Sequence, residues 1–344
     1  MVVIAIIFVA LNLYIGVTLY VKKALQKMMG RYEKAEYPMF ITYEDIKKKY
    51  SREEYYFKSG KNTLAAFLYG KGNSKGFVVY VHGLCPGHTG YLSDIMELVN
   101  RGYEVFTYDY TATGLSEGKT QGSVQRQAYD LKACLKFLNK TPEFKDKDIF
   151  LYGHSMGGYA VAVDVNSSSK IRACVSISGF DCPLEEIINT SFIDEETRKK
   201  MKKIKFIIWS ALVLMFGIHA NKKASKELRK THVPTLVVQG SNDDVVNFRN
   251  DSIFSKRSKI ANMNVSYIVY EDELHNGHSN LLASDECSKY QIEKAKERTE
   301  LTKKYNGDYK KAAKESYKNF DVFKANEANP IHMDKVDYFF QENK

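Results

Sequence analysis

Ser155 stands at the centre of the pentapeptide Gly153-His154-Ser155-Met156-Gly157, which fits the pattern G-x-S-x-G. An apolar run typical of a buried strand precedes the pentapeptide, and a helical pattern follows it. In that setting the glycines permit a tight strand-to-helix turn that lifts the serine hydroxyl out of a sheet. The pentapeptide alone is a weak signal, but its flanking elements predict a nucleophilic serine.

A serine hydroxyl is a poor nucleophile at neutral pH and needs a base that an acid holds in place. If the chain order is serine, acid, histidine, the acid follows a later strand. Asp243 lies three residues beyond the apolar run "TLVVQG", and Asp244 is the alternative, although a turn position suits it better. The segment "YEDELHNGHSN" offers His275 and His278 as the base. We favour His278 because Gly277 before it lets the loop approach the serine.

Acyl transfer also needs N–H donors for the oxyanion, each contributing about 10²–10³ in rate. The Met156 N–H follows the nucleophile, and the Leu84 N–H in the loop "VHGLCPGHTGY" is the second candidate. Cys85 beside it has no elbow of its own, so we expect it to line the substrate pocket. His82 and His154 are better interpreted as structural residues that bind loop backbone.

Several other classes of site are disfavoured. A metal site made of Glu271, His275 and His278 lacks the H-E-x-x-H spacing that would complete it. The five cysteines form no CxxC pair, which argues against a zinc ribbon and a disulfide framework. The net charge of +10 comes without a nucleic-acid-binding motif, so a basic surface that attracts anionic lipid is the simpler interpretation. We expect no metal, no organic cofactor and no nucleic acid.

The elements that must position these residues follow an α/β pattern. "EEYYFKS" and "TLAAFLYG" predict an opening hairpin. Continuous apolar runs typical of strands buried on both faces occur at 76–83, 103–109, 148–154, 171–178, 235–240 and 265–270. Helical patterns separate them at 91–101, 122–139 and 156–166. Alternating strands and helices predict a mostly parallel central sheet flanked by helices.

Residues 1–21 contain no charged side chain and, as a helix, would extend roughly 30 Å, the hydrocarbon thickness of a bilayer. We interpret them as a single transmembrane anchor and residues 22–50 as a basic stalk. The positive residues that follow the anchor favour a cytoplasmic catalytic domain by the positive-inside rule. These residues are Lys22, Lys23, Lys27, Arg31 and Lys34.

Two segments interrupt the alternation. Residues 181–232 contain no predicted strand but include the uncharged stretch 206–218, which is too short to span a bilayer comfortably. This stretch is either a helix buried in a cap or a lid helix that dips into the membrane surface, and we expect its Phe206 and Trp209 to contact substrate. Residues 283–328 are Lys/Glu-rich and predict surface helices. A closing helix follows, with Val336, Phe339 and Phe340 facing the core.

The motifs "VVYVHG", "RGYEVFTYDYTATGLSEG", "LYGHSMGG", "VVQGSNDDVV" and "NGHSN" occur in the order of the α/β-hydrolase superfamily, over roughly residues 76–280. The chain resembles the branch that groups monoacylglycerol-lipase-like lysophospholipases with serine aminopeptidases. The resemblance implies Ser155 as nucleophile, Asp243 as acid, His278 as base, and Leu84 and Met156 as oxyanion donors.

The resemblance has consequences beyond the triad. Related sequences usually read D-x-R-G-x-G-x-S where this chain has residues 109–116, "DYTATGLS", so the arginine and the first glycine of that loop are replaced. Membrane-anchored relatives in Gram-positive bacteria often place the domain outside the cell, against the charge rule.

We divide the chain into an anchor (1–21), a stalk (22–50), the first part of a hydrolase core (51–180), a helical cap (181–232) and the second part of the core (233–344, with a helical insertion at about 283–328). We expect a serine hydrolase that cleaves lipid-like carboxylic esters of the monoacylglycerol or lysophospholipid type. An aminopeptidase is the alternative, because acidic residues in the cap would suit a substrate ammonium. Those residues are Glu185, Glu186, Glu195 and Glu196. A non-catalytic membrane-tethered binding protein is disfavoured, since every residue type of the triad is present.

Overall fold

The computed structural model describes residues 1–32, 37–191 and 193–344, so that Lys34 lies outside the described residues. The strands are β1 (Arg52–Ser59), β2 (Asn62–Tyr69), β3 (Gly76–Val81), β4 (Tyr103–Tyr108), β5 (Ile149–His154), β6 (Ile171–Ile177), β7 (Thr235–Gly240) and β8 (Val265–Tyr270). The α-helices are α1 (Val2–Met28), α2 (Tyr43–Ile46), α3 (Leu92–Asn100), α4 (Arg126–Lys140), α5 (Met156–Asp164), α6 (Pro183–Asn189), α7 (Glu195–Lys203), α8 (Lys205–Phe216), α9 (Ala224–Leu228), α10 (Arg257–Ile260), α11 (Asp285–Lys304), α12 (Tyr309–Ser316) and α13 (Pro330–Glu342).

The strands form one eight-stranded sheet in the order β1-β2-β4-β3-β5-β6-β7-β8. The hairpin β1–β2 and the pair β2–β4 are antiparallel, and the remaining pairs are parallel. The predicted hairpin, the six predicted core strands and the mostly parallel sheet are confirmed. Since parallel strands end at the same edge, the loops after β3, β5, β7 and β8 meet there.

Helices cover both faces of the sheet. Along β3, Val79 and Val81 point into one core layer and Val78 and Tyr80 into the other, as the two-residue period of a strand requires. Helices α4 and α5 contribute to the first layer, and α3 and α13 to the second. The closing helix α13 faces the core as predicted, with buried Val336 and Phe340 and a partly buried Phe339.

The first helix extends further than the predicted anchor. Residues 6–28 of α1 form a helix that is long and apolar enough to cross a membrane. Within the described residues 22–32 and 37–50, Leu25, Ile41 and Ile46 are buried against the body of the protein. Their isolated apolar side chains show no periodicity in the sequence, and only the tertiary contacts bury them.

Four helices, α6 to α9, occupy most of the segment 181–232. The buried side chains of α6 and α8 form a third apolar cluster together with Val21 and Leu25 of α1, whereas Ala224 and Leu228 of α9 belong to the first core layer. Helix α8 packs directly on α1 through Ile208, Ala211 and Leu212. The segment 283–328 contains α11 and α12, in agreement with the predicted surface helices.

Candidate active site

Ser155 occupies the sharp turn between β5 and α5. Its backbone angles, φ 58° and ψ −118°, are strained for a residue with a side chain. A Cβ at Gly157 would lie 1.9 Å from the Val81 carbonyl oxygen, and a Cβ at Gly153 would lie 2.4 Å from the Gly157 carbonyl oxygen. Both positions therefore require glycine, and the turn aims the serine side chain away from the sheet.

The loops at the carboxyl edge of the sheet bring Ser155, His278 and Asp243 together. The Ser155 Oγ lies 2.9 Å from His278 Nε2. On the other side of the ring, His278 Nδ1 lies 2.9 Å from each carboxylate oxygen of Asp243. The hydroxyl can donate to the imidazole while the imidazole donates to the carboxylate, which is the geometry of a nucleophile, base and acid.

The carboxylate of Asp243 is held in its ionised form. Burial alone would raise the pKa of Asp243, but the hydrogen bond from His278 and the N–H groups of Val245 and Val246 lower it below the ordinary value. The Gln239 amide also donates to it, at 2.7 Å. A fixed negative charge at this place orients the imidazole and stabilises its protonated form.

The other histidines predicted to be structural bind backbone. His82 Nδ1 donates to the Gly83 carbonyl at 2.8 Å, and His154 Nε2 donates to the His278 carbonyl at 2.8 Å. Burial lowers the pKa of His82 to about 4 and that of His154 to about 3, so both are neutral near pH 7. His275, the alternative base, is buried and pairs with Asp272 at 2.6 Å.

The two predicted oxyanion donors flank the nucleophile. Met156 is the first residue of α5, and Leu84 lies in the loop after β3. A Cβ at Gly83 would lie 3.0 Å from the Ser155 Cβ and 2.6 Å from the Tyr91 hydroxyl, so the loop reaches the serine only with glycine there.

Ser155 and His278 open into a cavity of about 550 Å³. Its wall is mainly apolar and is formed by α1, the helical segment 181–232 and the loops at the sheet edge. The apolar lining residues are Met28, Met29, Leu84, Val124, Met156, Phe180, Ile187, Ile193, Val245 and Val246. Glu186 is the acidic residue among the described lining residues. Met28 and Met29 carried no sequence signal, because nothing in the pattern places the end of α1 at the sheet.

Three side chains that the sequence predicts to contact substrate are not among the described residues that line the Ser155 cavity. Cys85 lines a neighbouring cavity of about 260 Å³, where burial raises the pKa of its thiol and keeps it protonated. Phe206 and Trp209 are 66% and 39% exposed and are not among the described residues that line the Ser155 cavity. Helix α8 is apolar on all sides, so the sequence contains no stripe to say which side faces inward.

Arg31 supports the loop that departs from the usual pattern of related sequences. Its guanidinium donates to the carbonyl oxygens of Gly114, Ser116 and Gly118 at 2.6, 2.9 and 3.2 Å. Asp109, at the start of the loop, accepts from the Leu115 N–H at 2.9 Å. An arginine that precedes β1 thus hydrogen-bonds to this loop, whereas related sequences usually carry an arginine within the loop itself.

Two family models match the part of the chain that contains these residues. One is described as serine aminopeptidase, S33, and matches residues 72–180, including Leu84 and Ser155. The other is described as the C-terminal part of BAAT and acyl-CoA thioester hydrolases and matches residues 131–279, including Asp243 and His278. Each match covers less than half of the chain.

Solved structures share the fold. The esterase Pf2001 of Pyrococcus furiosus superposes with a TM-score of 0.54 at 19% identity, over 77% of this chain and 95% of that one. The esterase Est1E of Butyrivibrio proteoclasticus, solved with ferulic acid bound, has a TM-score of 0.50 at 17% identity, over 65% of this chain and 90% of that one. The chain has the α/β-hydrolase fold, and its residues 72–279 are similar to a serine aminopeptidase family and to an acyl-CoA thioester hydrolase family.

Proposed function

We propose that the protein hydrolyses lipid-like carboxylic esters at a membrane, through an acyl-enzyme on Ser155. The observation that carries the proposal is the continuous hydrogen-bonded line from Ser155 through His278 to Asp243. The apolar cavity beside it supports an acyl chain as the bound group. Helix α1 supports attachment to a membrane.

The reaction follows from the positions of the three side chains. The Ser155 oxygen attacks the ester carbonyl carbon while His278 Nε2 takes the hydroxyl proton. The oxyanion is stabilised by the Leu84 and Met156 N–H groups. When the tetrahedral intermediate collapses, the carbon–oxygen bond to the alcohol breaks, and His278 returns the proton to that alcohol. Water repeats the sequence on the acyl-enzyme and releases the carboxylic acid.

A fluorophosphonate probe tests the nucleophile. The full-length protein in detergent should be labelled, and Ser155→Ala should lose the label completely, because only an activated serine reacts at a useful rate. Ser169→Ala, at an exposed serine, is the matched control and should label like the wild type. Labelling that persists in Ser155→Ala would refute the assignment of this serine.

A panel of p-nitrophenyl esters tests the lipid-like substrate. The apolar cavity predicts that kcat/KM rises from acetate to medium and long acyl chains, since each buried methylene contributes about 0.8 kcal/mol. Activity confined to acetyl esters would contradict the proposed lipid-like substrate but not the proposed acyl-enzyme mechanism.

Glu186 supports a second candidate, an aminopeptidase-like enzyme. Of the four acidic residues named from the sequence, it is the one among the described lining residues of the cavity. The others pair with bases on the surface: Glu185 with Lys205, Glu195 with Arg198 and Glu196 with Lys200. An ionised Glu186 would bind a substrate ammonium, so hydrolysis of aminoacyl-naphthylamides in preference to esters would favour this candidate.

A further inference from the structure

Helices α1 and α8 present one shared apolar surface to the outside. Their inner faces pack on each other, with Val21 and Leu25 of α1 against the buried side of α8. On the outer side, the rings of Phe206 and Trp209 stack at 5.5 Å, and Tyr14 of α1 lies 6.1 Å from Phe206. Leu214 on α8 is also exposed, as are most side chains of α1 before Tyr14.

The two helices run in the same direction. Tyr14 lies level with the first half of α8, where its ring is 6.1 Å from Phe206 and its hydroxyl hydrogen-bonds to Ser210. At the other end, Gly122 donates to the Met29 carbonyl at 3.4 Å, and a Cβ at Gly122 would lie 3.5 Å from Phe216. The end of α8 is therefore level with the end of α1.

This alignment limits how α1 enters a bilayer. Residues 1–13 precede the contact with α8, and from Tyr14 onward α1 runs alongside α8. Insertion of α1 to the depth of Tyr14 therefore brings the beginning of α8 to the membrane surface. Any deeper insertion carries the beginning of α8, with Phe206 and Trp209, into the interfacial layer of the same membrane.

The polar side chains of α1 and α8 are suited to the interfacial layer of a membrane. Asn12 donates to the Phe8 carbonyl at 2.8 Å, Thr18 donates to the Tyr14 carbonyl at 2.8 Å, and Ser210 donates to the Phe206 carbonyl at 3.0 Å. Internal pairing of this kind is what lipid requires of polar side chains. Basic residues border the apolar surface and suit anionic headgroups: Lys22 and Lys23 on α1, Lys202 and Lys203 at the end of α7, and Lys205, which also pairs with Glu185, at the start of α8.

We propose that α8 is a second membrane-contacting element, which inserts Phe206 and Trp209 into the interfacial layer of an anionic bilayer beside α1. The inference rests on the proposed membrane attachment through α1. It gives the two aromatic side chains a role outside the catalytic cavity. Because Met28 and Met29 at the far end of α1 line that cavity, the same helix pair would fix the orientation of the active site above the lipid surface.

Trp209 is the single tryptophan of the chain, so its fluorescence reports this contact directly. The full-length protein is reconstituted into vesicles of phosphatidylcholine and phosphatidylglycerol with brominated acyl chains. We expect Trp209 to lose about half of its emission, since interfacial helices place their apolar face roughly 5–10 Å into the leaflet.

Two double variants calibrate the depth. Trp209→Phe with Phe8→Trp places the reporter on α1, and Trp209→Phe with Tyr309→Trp places it on exposed Tyr309 of α12. We expect quenching at position 8 and none at position 309. Fluorophosphonate labelling of each variant verifies that the fold is intact, because none of the three positions is among the described residues lining the catalytic cavity.

Quenching at positions 8 and 209 but not at 309 supports the proposal. Quenching at position 8 alone, with Trp209 behaving like position 309, overturns it and leaves the anchor in place. If neither position 8 nor position 209 is quenched, both the membrane attachment and this inference are wrong, whereas the serine chemistry is judged separately by the labelling.

Discussion

At the scale of single residues, the candidate site depends on the hydrogen bonds that fix the Asp243 carboxylate. Its carboxylate accepts hydrogen bonds from His278, Gln239 and two backbone N–H groups, which keep the charge in place inside the protein. Asp243→Asn would remove that charge and favour the wrong tautomer of His278. We expect kcat to fall by about 10³–10⁴ with little change in KM. Steady-state kinetics on a soluble ester measure this.

Exposed Asp244 provides the matched control for that variant. Asp244→Asn should retain wild-type kcat, because the side chain is outside the hydrogen-bonded line. Equal losses in the two variants would mean that the loop as a whole, and not the charge of Asp243, determines activity.

Glu186 distinguishes the two candidate functions through its protonation. Burial, with Asp251 and Asp243 nearby, raises the pKa of Glu186 to about 8, so the group is mainly neutral at pH 7. A neutral acid is compatible with an acyl chain beside it, and an ionised one is not. We expect kcat/KM for a long-chain ester to decline above about pH 8 in the wild type and to persist in Glu186→Gln.

The aminopeptidase candidate predicts the opposite result for the same variant. A carboxylate that binds an ammonium cannot be replaced by an amide, so kcat/KM for aminoacyl substrates should drop by about tenfold or more in Glu186→Gln. The pH profiles of both substrate classes therefore decide between the two functions.

The same group makes stability depend on pH. Because folding raises the pKa of Glu186 from 4.5 to about 8, the folded state holds the proton more tightly than the unfolded state. Its stabilising contribution is present at low pH and is lost as the pH rises through about 8. The melting temperature of Glu186→Gln relative to the wild type should therefore increase between pH 5 and pH 9. A constant difference over that range would show that the carboxyl group titrates normally.

At the scale of elements, Arg31 joins the chain before β1 to the loop 109–118. Its guanidinium serves three carbonyl oxygens, and removing a charged donor of this kind costs about 1.5–3 kcal/mol. We expect Arg31→Ala to lower the free energy of unfolding by that amount. Arg31→Lys should restore only part of it, since an ammonium lacks the planar fork. Urea unfolding in detergent measures both variants, and exposed Lys27→Ala is the control that should be silent.

The elements also show what the sequence could predict. The strands were recognisable because their apolar runs are continuous, and the elbow was recognisable because its serine and both glycines stand in one pentapeptide between a strand and a helix, although the contact that demands Gly157 is with the distant Val81 carbonyl. The orientation of α8 was not predictable, because a helix that is apolar on every side carries no information about its inner face. The inward position of Glu186 likewise depends on how α6 packs, which no local pattern encodes.

At the scale of the whole molecule, the two ends of α1 have different surroundings. Its beginning is exposed and apolar, whereas Met28 and Met29 at its end line the catalytic cavity, and the Met29 carbonyl accepts from the Gln121 N–H at 2.8 Å. The region proposed to meet the membrane and the region that lines the catalytic cavity are therefore one continuous element.

Two truncations separate these regions. A variant lacking residues 1–13 should hydrolyse a soluble short-chain ester at the wild-type rate, because every described contact with the cavity is retained, but should lose activity on long-chain esters presented in vesicles. A variant lacking residues 1–30 removes the wall formed by Met28 and Met29 and should lose at least about tenfold in kcat/KM on the soluble ester as well. Hydrolysis rates on the two substrates, with labelling to count active sites, measure both effects. If the longer truncation were fully active on the soluble ester, the end of α1 would have no part in shaping the cavity, and the coupling between membrane and active site would have to run through α6 to α8 alone.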